Sequence, residues 1–191
     1  MQNKIVTQPI YEPVTLAEAR SHLRVTHTTE DAHINALIQA AREYCEAISR
    51  WSLATQTIEA YLDRFPCCNF IELPRPPLQS VTSVKYTDSA GVETTMTATT
   101  DYLVDTDSTV GRIVLPYNKS WPSATLYPVN PIKIRYVAGY STTNIIPECI
   151  KNAMLLLVGQ WFTNREATGE ASKQTAFSVS SLLGLDKAGF F

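Results

Sequence analysis

An α+β fold is the class this chain predicts, from three changes of pattern along its 191 residues. Apolar residues recur at helical spacing up to about residue 52 and alternate through the middle of the chain. They return to helical spacing after Pro147. Helices, then strands, then a helix keep the two kinds of structure in separate blocks, which is the α+β arrangement.

The first helix opens at Thr15, a good N-cap, with Glu18 three residues later completing a capping box. Leu16, Ala19 and Leu23 follow at helical spacing to about Arg24. After a link over Val25 to Thr28, Thr28 or Thr29 is expected to cap a second helix. Its apolar stripe is Ile34, Leu37, Ile38, Ala41, Cys45 and Ile48. Glu30 and Asp31 stand at its positive end and Arg50 near its negative end, as the macrodipole favours. Glu46 and Arg50, four apart, are expected to pair on its exposed side, and the helix should stop near Trp51.

From Leu53 the period becomes two. Ile58, Ala60 and Leu62 point one way and Thr57, Glu59, Tyr61 and Asp63 the other, a half-buried strand. Phe70 to Leu73 makes a short second strand. Pro74, Pro76 and Pro77 then hold the chain extended into Val81 to Thr87. Asp88-Ser-Ala-Gly91 is turn chemistry, predicting a hairpin into Val92 to Thr97. Tyr102 to Val104 and Arg112 to Leu115 are short strands around an exposed turn at Asp105-Thr-Asp-Ser. Ile132, Ile134, Tyr136 and Ala138 alternate with Lys133, Arg135 and Val137 in the cleanest strand of the chain.

Pro147 suits the first position of the last helix, with Glu148 beside it. Ile150, Ala153, Met154, Leu157, Val158 and Trp161 form one stripe, while Leu155, Leu156 and Phe162 lie off it. A helix apolar on more than one face is central in a core or shared with another subunit, so Leu155, Leu156 and Phe162 are candidate subunit-interface residues. Gly169 is a plausible stop. Residues 170–191 are weakly periodic, yet Leu182, Leu183, Leu185, Phe190 and Phe191 cost about 1.5–3 kcal/mol each to leave in water. Such a tail is expected to dock on a partner.

Composition narrows the function classes. With 45% hydrophobic and 18% charged residues the chain is ordinary globular protein, and its net charge of -2 supplies no global attraction for nucleic acid or an anionic membrane. The first residues lack a signal-peptide pattern and no apolar run approaches the ~18 residues of a membrane span, so synthesis and residence in a cytoplasm are expected. Four cysteines form no Cys-x-x-Cys pair, which argues for reduced, structural thiols and against a zinc or redox site.

A search for chemistry returns no catalytic, cofactor or metal site. His22, His27 and His33 are five and six residues apart, whereas a helical ligand pair sits three or four apart. Asp101, Asp105 and Asp107 lack the glycine and closing glutamate of a calcium loop and read as a polar turn. Pro74-Arg-Pro-Pro77 has the form of an SH3 ligand, but strand residues flank it. Arg20, Arg24, Arg42, Arg50 and Arg64 enrich the N-terminal half in arginine without the aromatic interleaving of a nucleic-acid module.

Three separated stretches carry a family resemblance. They are Glu12-Pro-Val-Thr-Leu-Ala-Glu-Ala-Arg20, Leu73-Pro-Arg-Pro-Pro-Leu-Gln-Ser-Val81 and Ile146-Pro-Glu-Cys-Ile-Lys-Asn-Ala-Met154, supported by Asn164-Arg-Glu166. In this order, across about Glu12 to Glu166, the chain resembles the head-tail connector (adaptor) proteins of tailed bacteriophages. The resemblance implies a small helical bundle of two N-terminal helices and one C-terminal helix, carrying an inserted antiparallel β region and an extended C-terminal tail. The expected parts are 1–52 and 147–169 for the bundle, 53–146 for the insertion and 170–191 for the tail.

It further implies a non-enzymatic virion protein at the head-tail interface, without cofactors. A twelve-fold homo-oligomeric ring would join the portal protein to the next head-completion or tail protein and extend the DNA channel. Double-stranded DNA would then pass without sequence-specific binding. Leu182, Leu183, Leu185, Phe190 and Phe191 become candidate portal-docking residues, although the tail departs from the more basic, tyrosine-containing ends of many relatives. The alternative classes are a peptide- or glycan-binding β module and a small hydrolase built on Asp105 and Asp107.

Overall fold

The structure is a computed structural model that describes residues 1–141 and 146–164. The chain divides into two compact units, one of Met1–Pro9 with Thr55–Gly139 and one of Ile10–Ala54 with the chain from Tyr140 on. The first is built of strands, the second of helices, in the α+β arrangement the sequence predicts.

The helical unit contains α1 (Leu16–Leu23), α2 (Asp31–Ser49) and α3 (Glu148–Thr163). The capping box of α1 forms as expected: the Thr15 hydroxyl accepts the Glu18 N–H, and the Glu18 carboxylate accepts the Thr15 N–H at 2.7 Å. That backbone hydrogen bond, with the Thr15 hydroxyl, holds the Glu18 carboxyl below its ordinary range. Neither Thr28 nor Thr29 caps α2. Glu30 stands at the N-cap without a side-chain bond, and the Thr29 hydroxyl is instead 2.8 Å from His27 Nδ1. The Arg20 guanidinium organises this link, donating to the carbonyls of Thr26 and His27. Pro147 is the N-cap of α3 rather than its first residue.

Ala19, Ile34, Ile38, Ala41, Cys45, Ile150, Ala153, Met154, Leu157 and Val158 form the core of this unit, so the predicted stripes of all three helices meet. Burial pushes the Cys45 thiol up to about 12, which makes it a small apolar filler.

One charged cluster lies inside. Arg42 is 2% exposed; its Nε donates to Glu12 at 2.8 Å and its Nη1 to Glu46 at 3.2 Å. Glu46 is itself 3% exposed and accepts the Leu53 N–H at 2.9 Å through its second oxygen. The expected position of Glu46 on the exposed side beside Arg50 is therefore corrected. Arg42, four residues earlier and one helical turn below, holds it inside. Arg50 takes a left-handed conformation (φ 61°) and ends α2 with its own N–H on the Glu46 carbonyl.

The strand unit contains β1 (Gln2–Thr7), β2 (Gln56–Leu62), β3 (Phe70–Glu72), β4 (Leu78–Thr87), β5 (Glu93–Met96), β6 (Leu103–Asp105), β7 (Arg112–Val114) and β8 (Ile132–Ala138). A five-stranded sheet runs β1-β2-β8-β4-β5 and a three-stranded sheet β3-β7-β6, with every pair antiparallel. The sequence reading assigns no element before Thr15, so β1 is unexpected. It pairs Gln2 with Tyr61, Lys4 with Glu59 and Ile5 with Ile58, then bulges before Thr7. Only Ile5 of this strand is partly covered, leaving no apolar alternation to read.

Strand β8 lies between β2 and β4, and its residues Ile132, Ile134, Tyr136 and Ala138 fill the middle of the core with Ile58, Ala60 and Val84. The buried Tyr136 hydroxyl donates to the Pro74 carbonyl at 2.8 Å, so its polar end is satisfied. A Cβ at Gly111 would come within 2.1 Å of Leu78, so only glycine lets β7 begin there.

Arg42→Ala would remove the buried cation that Glu12 and Glu46 share. We expect a loss of about 3–5 kcal/mol in urea unfolding. Replacing the exposed neighbour Glu43 by Ala should change stability by no more than about 0.5 kcal/mol. Equal effects of the two substitutions would contradict the assigned role of Arg42.

Candidate functional site

The acidic turn is a structural device. Asp105 Oδ2 accepts from the Ser108 hydroxyl at 2.7 Å and from Arg112 Nε at 2.8 Å, and Oδ1 accepts the N–H groups of Asp107 and Ser108. These bonds, the Ser108 hydroxyl first and Arg112 next, lower the Asp105 carboxyl to about 2. A carboxylate that accepts from four donors is a weak base, which is the character of a turn-forming aspartate.

The histidines serve separate local roles. His22 lies against Gly159, His27 pairs with Thr29, and the His33 ring stands 6.1 Å from Phe162. Among the described residues no three His, Cys, Asp or Glu side chains are placed to hold a metal ion.

Shallow clefts lie among the described residues. One, of about 200 Å³, lies in the strand unit beside Tyr86, Thr95, Asp101 and Lys119. Another, of about 170 Å³, lies in the helical unit beside Tyr11, Glu12, Tyr140 and Lys151. Both fall below the ~300 Å³ at which small-molecule sites begin. Of the arginines in the N-terminal half, Arg42 is buried and Arg20 is tied to backbone carbonyls, while Arg24, Arg50 and Arg64 are exposed.

What remains is surface suited to contact. On α3, Leu155 and Phe162 are half-buried against the helical core, whereas Leu156 is 38% exposed. Tyr44 and Trp161 pack edge-to-face at 6.0 Å, with Tyr44 on the surface. Leu182, Leu183, Leu185, Phe190 and Phe191 lie outside the described residues.

In the strand unit the outward face of the five-stranded sheet is polar. Lys4, Glu59 and Arg135 share one row; Tyr61, Lys133, Lys85 and Thr95 share the next. Glu59 accepts from the Tyr61 hydroxyl at 2.6 Å and from Arg135 Nε at 2.8 Å, which holds its carboxyl below the usual range. At the rim, Glu93 is bonded by Lys85 at 2.6 Å. Residue spacing reveals the alternation of each strand, but the rows exist only once β8 is placed beside both β2 and β4.

The fold is thus a helical unit interrupted along the chain by an antiparallel β unit. Residues 12–176 match the family described as head completion protein, and the chain belongs to that family. No curated protein matches it in sequence.

Solved structures match closely in fold. A chain from the neck of an empty gene transfer agent (GTA) particle, computed with C6 symmetry, is 23% identical with a TM-score of 0.81. A chain from the virion of the native GTA particle is 24% identical with a TM-score of 0.79. One from the neck of the native particle, computed with C12 symmetry, is 23% identical with a TM-score of 0.80. Each comparison covers 100% of this chain and 97% of the other, so both units and their order along the chain are shared.

The low Asp105 carboxyl has a consequence for acid stability. Its pKa is depressed in the fold, so its contribution is complete above the ordinary value of 3.8 and is lost as pH falls through about 2. In an NMR titration the Asp105 carboxyl should have its midpoint near 2. The Asp105→Asn variant should lack this part of the acid limb of the stability curve. A midpoint at the ordinary value would remove the turn bonds from the account.

Proposed function

We propose that this protein is a structural component of a phage-like virion, a connector ring between the portal and the tail or the next completion protein. Membership of the head completion family over residues 12–176 carries this reading. The fold shared with chains from GTA necks, computed with C6 and with C12 symmetry, supports a ring, for which twelve copies is our reading. Such a ring, made in the host cytoplasm, would extend the channel for double-stranded DNA and contact it without reading sequence. The protein acts by contact and not by catalysis, in keeping with an acidic turn saturated by its own donors.

Two sets of side chains take roles in this reading. Leu155, Leu156 and Phe162 on α3 belong to the subunit interface. Leu156 is the anchor, because the other two already give part of their surface to the helical core. Residues 170–191 dock on the portal through Leu182, Leu183, Leu185, Phe190 and Phe191. Ordering such a segment costs about 1–2 kcal/mol per residue fixed, so binding requires that a few anchors carry most of the contact. Phe190 and Phe191 are the natural ones.

Leu156→Glu should weaken ring assembly, seen by negative-stain microscopy of the protein with its portal, while shifting the unfolding midpoint of the monomer little. Normal rings from this variant would remove α3 from the interface. Deleting residues 182–191 should leave a folded protein that no longer copurifies with portal-containing heads. Retention at the wild-type yield would sink the docking role of the tail.

A further inference from the structure

The five-stranded sheet ends in two strands, β1 and β5, whose outer edges have no partner among the described residues. An open edge is a row of free N–H and C=O groups, and proteins either protect it or use it. Here the two edges match each other. Every neighbouring pair in the sheet is antiparallel, so β1 and β5, four steps apart, run in the same direction. A second copy moved sideways by rotation would therefore bring its β1 alongside β5 as a parallel pair.

The side chains fit one register. Gln2 and Lys4 on β1 share the outward face with Glu93 and Thr95 on β5, through their partners Tyr61, Glu59, Thr87 and Lys85. Asn3 and Ile5 share the core face with Thr94 and Met96. Setting Ile5 beside Met96 puts Lys4 beside Thr95, Asn3 beside Thr94 and Gln2 beside Glu93. Apolar then meets apolar on the core face and polar meets polar outside. Lys4 comes diagonal to the Glu93 carboxylate, at the separation where opposite charges on adjacent strands attract. Lys4 is otherwise the one charge along β1 that would oppose pairing.

We infer that β1 of one copy adds to the β5 edge of the next, so that the five-stranded sheets form a continuous belt around the ring. This rests on the ring reading above and specifies its interface. Joining two different edges of the same sheet is a heterologous contact, which repeats head to tail and makes a ring where the rotation between copies closes. Five strands at about 4.8 Å span about 24 Å per copy. Twelve copies would give a belt of roughly 290 Å circumference, about 90 Å across.

The test uses the full chain carrying Cys67→Ser and Cys68→Ser, because both native thiols are exposed. Lys4→Cys and Thr95→Cys are added together, the protein is co-expressed with its portal protein, and assemblies are oxidised and run on non-reducing gels. A ladder of covalent species extending beyond the dimer, absent from either single variant, is the expected result. A second pair, Gln2→Cys with Glu93→Cys, checks the register.

Intact rings in the microscope with both pairs unlinked would overturn the belt and leave the ring reading standing. A ladder that stops at the dimer would also overturn the belt, since it indicates two-fold pairing. Absence of rings from the parent carrying only the two serine substitutions would overturn the ring reading, and the belt with it.

Discussion

The guanidinium of Arg42 is the group on which the helical unit depends. It is almost wholly buried and draws together Glu12, from the segment entering α1, and Glu46, one turn further along α2. Through its other oxygen Glu46 fixes the Leu53 N–H, where the chain leaves the helices. Three segments distant in sequence are thus registered by one cation. Buried ion pairs contribute little net stability compared with an apolar replacement, because both partners are desolvated. Their effect is geometric, since only one arrangement of the three segments satisfies the charges. The apolar stripes of α1, α2 and α3 supply the burial energy, and the Arg42 cluster selects how they use it.

The strand unit answers to a different constraint. Strand β8 is apolar on one face and pairs along its full length with both β2 and β4, which lie more than forty residues earlier in the chain. Until β8 arrives, Ile58, Ala60 and Val84 have no central partner. The short β3, β6 and β7 form a separate small sheet, pinned by the Asp105 turn and by the tight approach at Gly111. Non-local pairing of this kind is slow to form, because the loops close before the contacts reward them.

For function, the distribution of polar groups matters more than any one of them. The acidic turn and the Arg42 cluster each engage several local partners. Surface suited to contact includes Leu156 on α3 and the two sheet edges that have no partner among the described residues.

Local sequence determined the elements whose signals are local. The Thr15 capping box, the stripes of α2 and α3, the Asp88 to Gly91 turn and the alternation of β8 each depend on residues within a few positions, and each formed where expected. The turn character of Asp105 was legible in the same way. Tertiary structure decided what depends on distant partners. Strand β1 has too little apolar alternation to be read and exists because β2 offers it an edge. Glu46 turned inward because the Arg42 guanidinium, itself held by Glu12, and the Leu53 N–H converge on it, a set that spans more than forty residues. The outward rows of the sheet and its two free edges also appear only after β8 is inserted, because strand order is a property of the whole sheet and is written in no one segment.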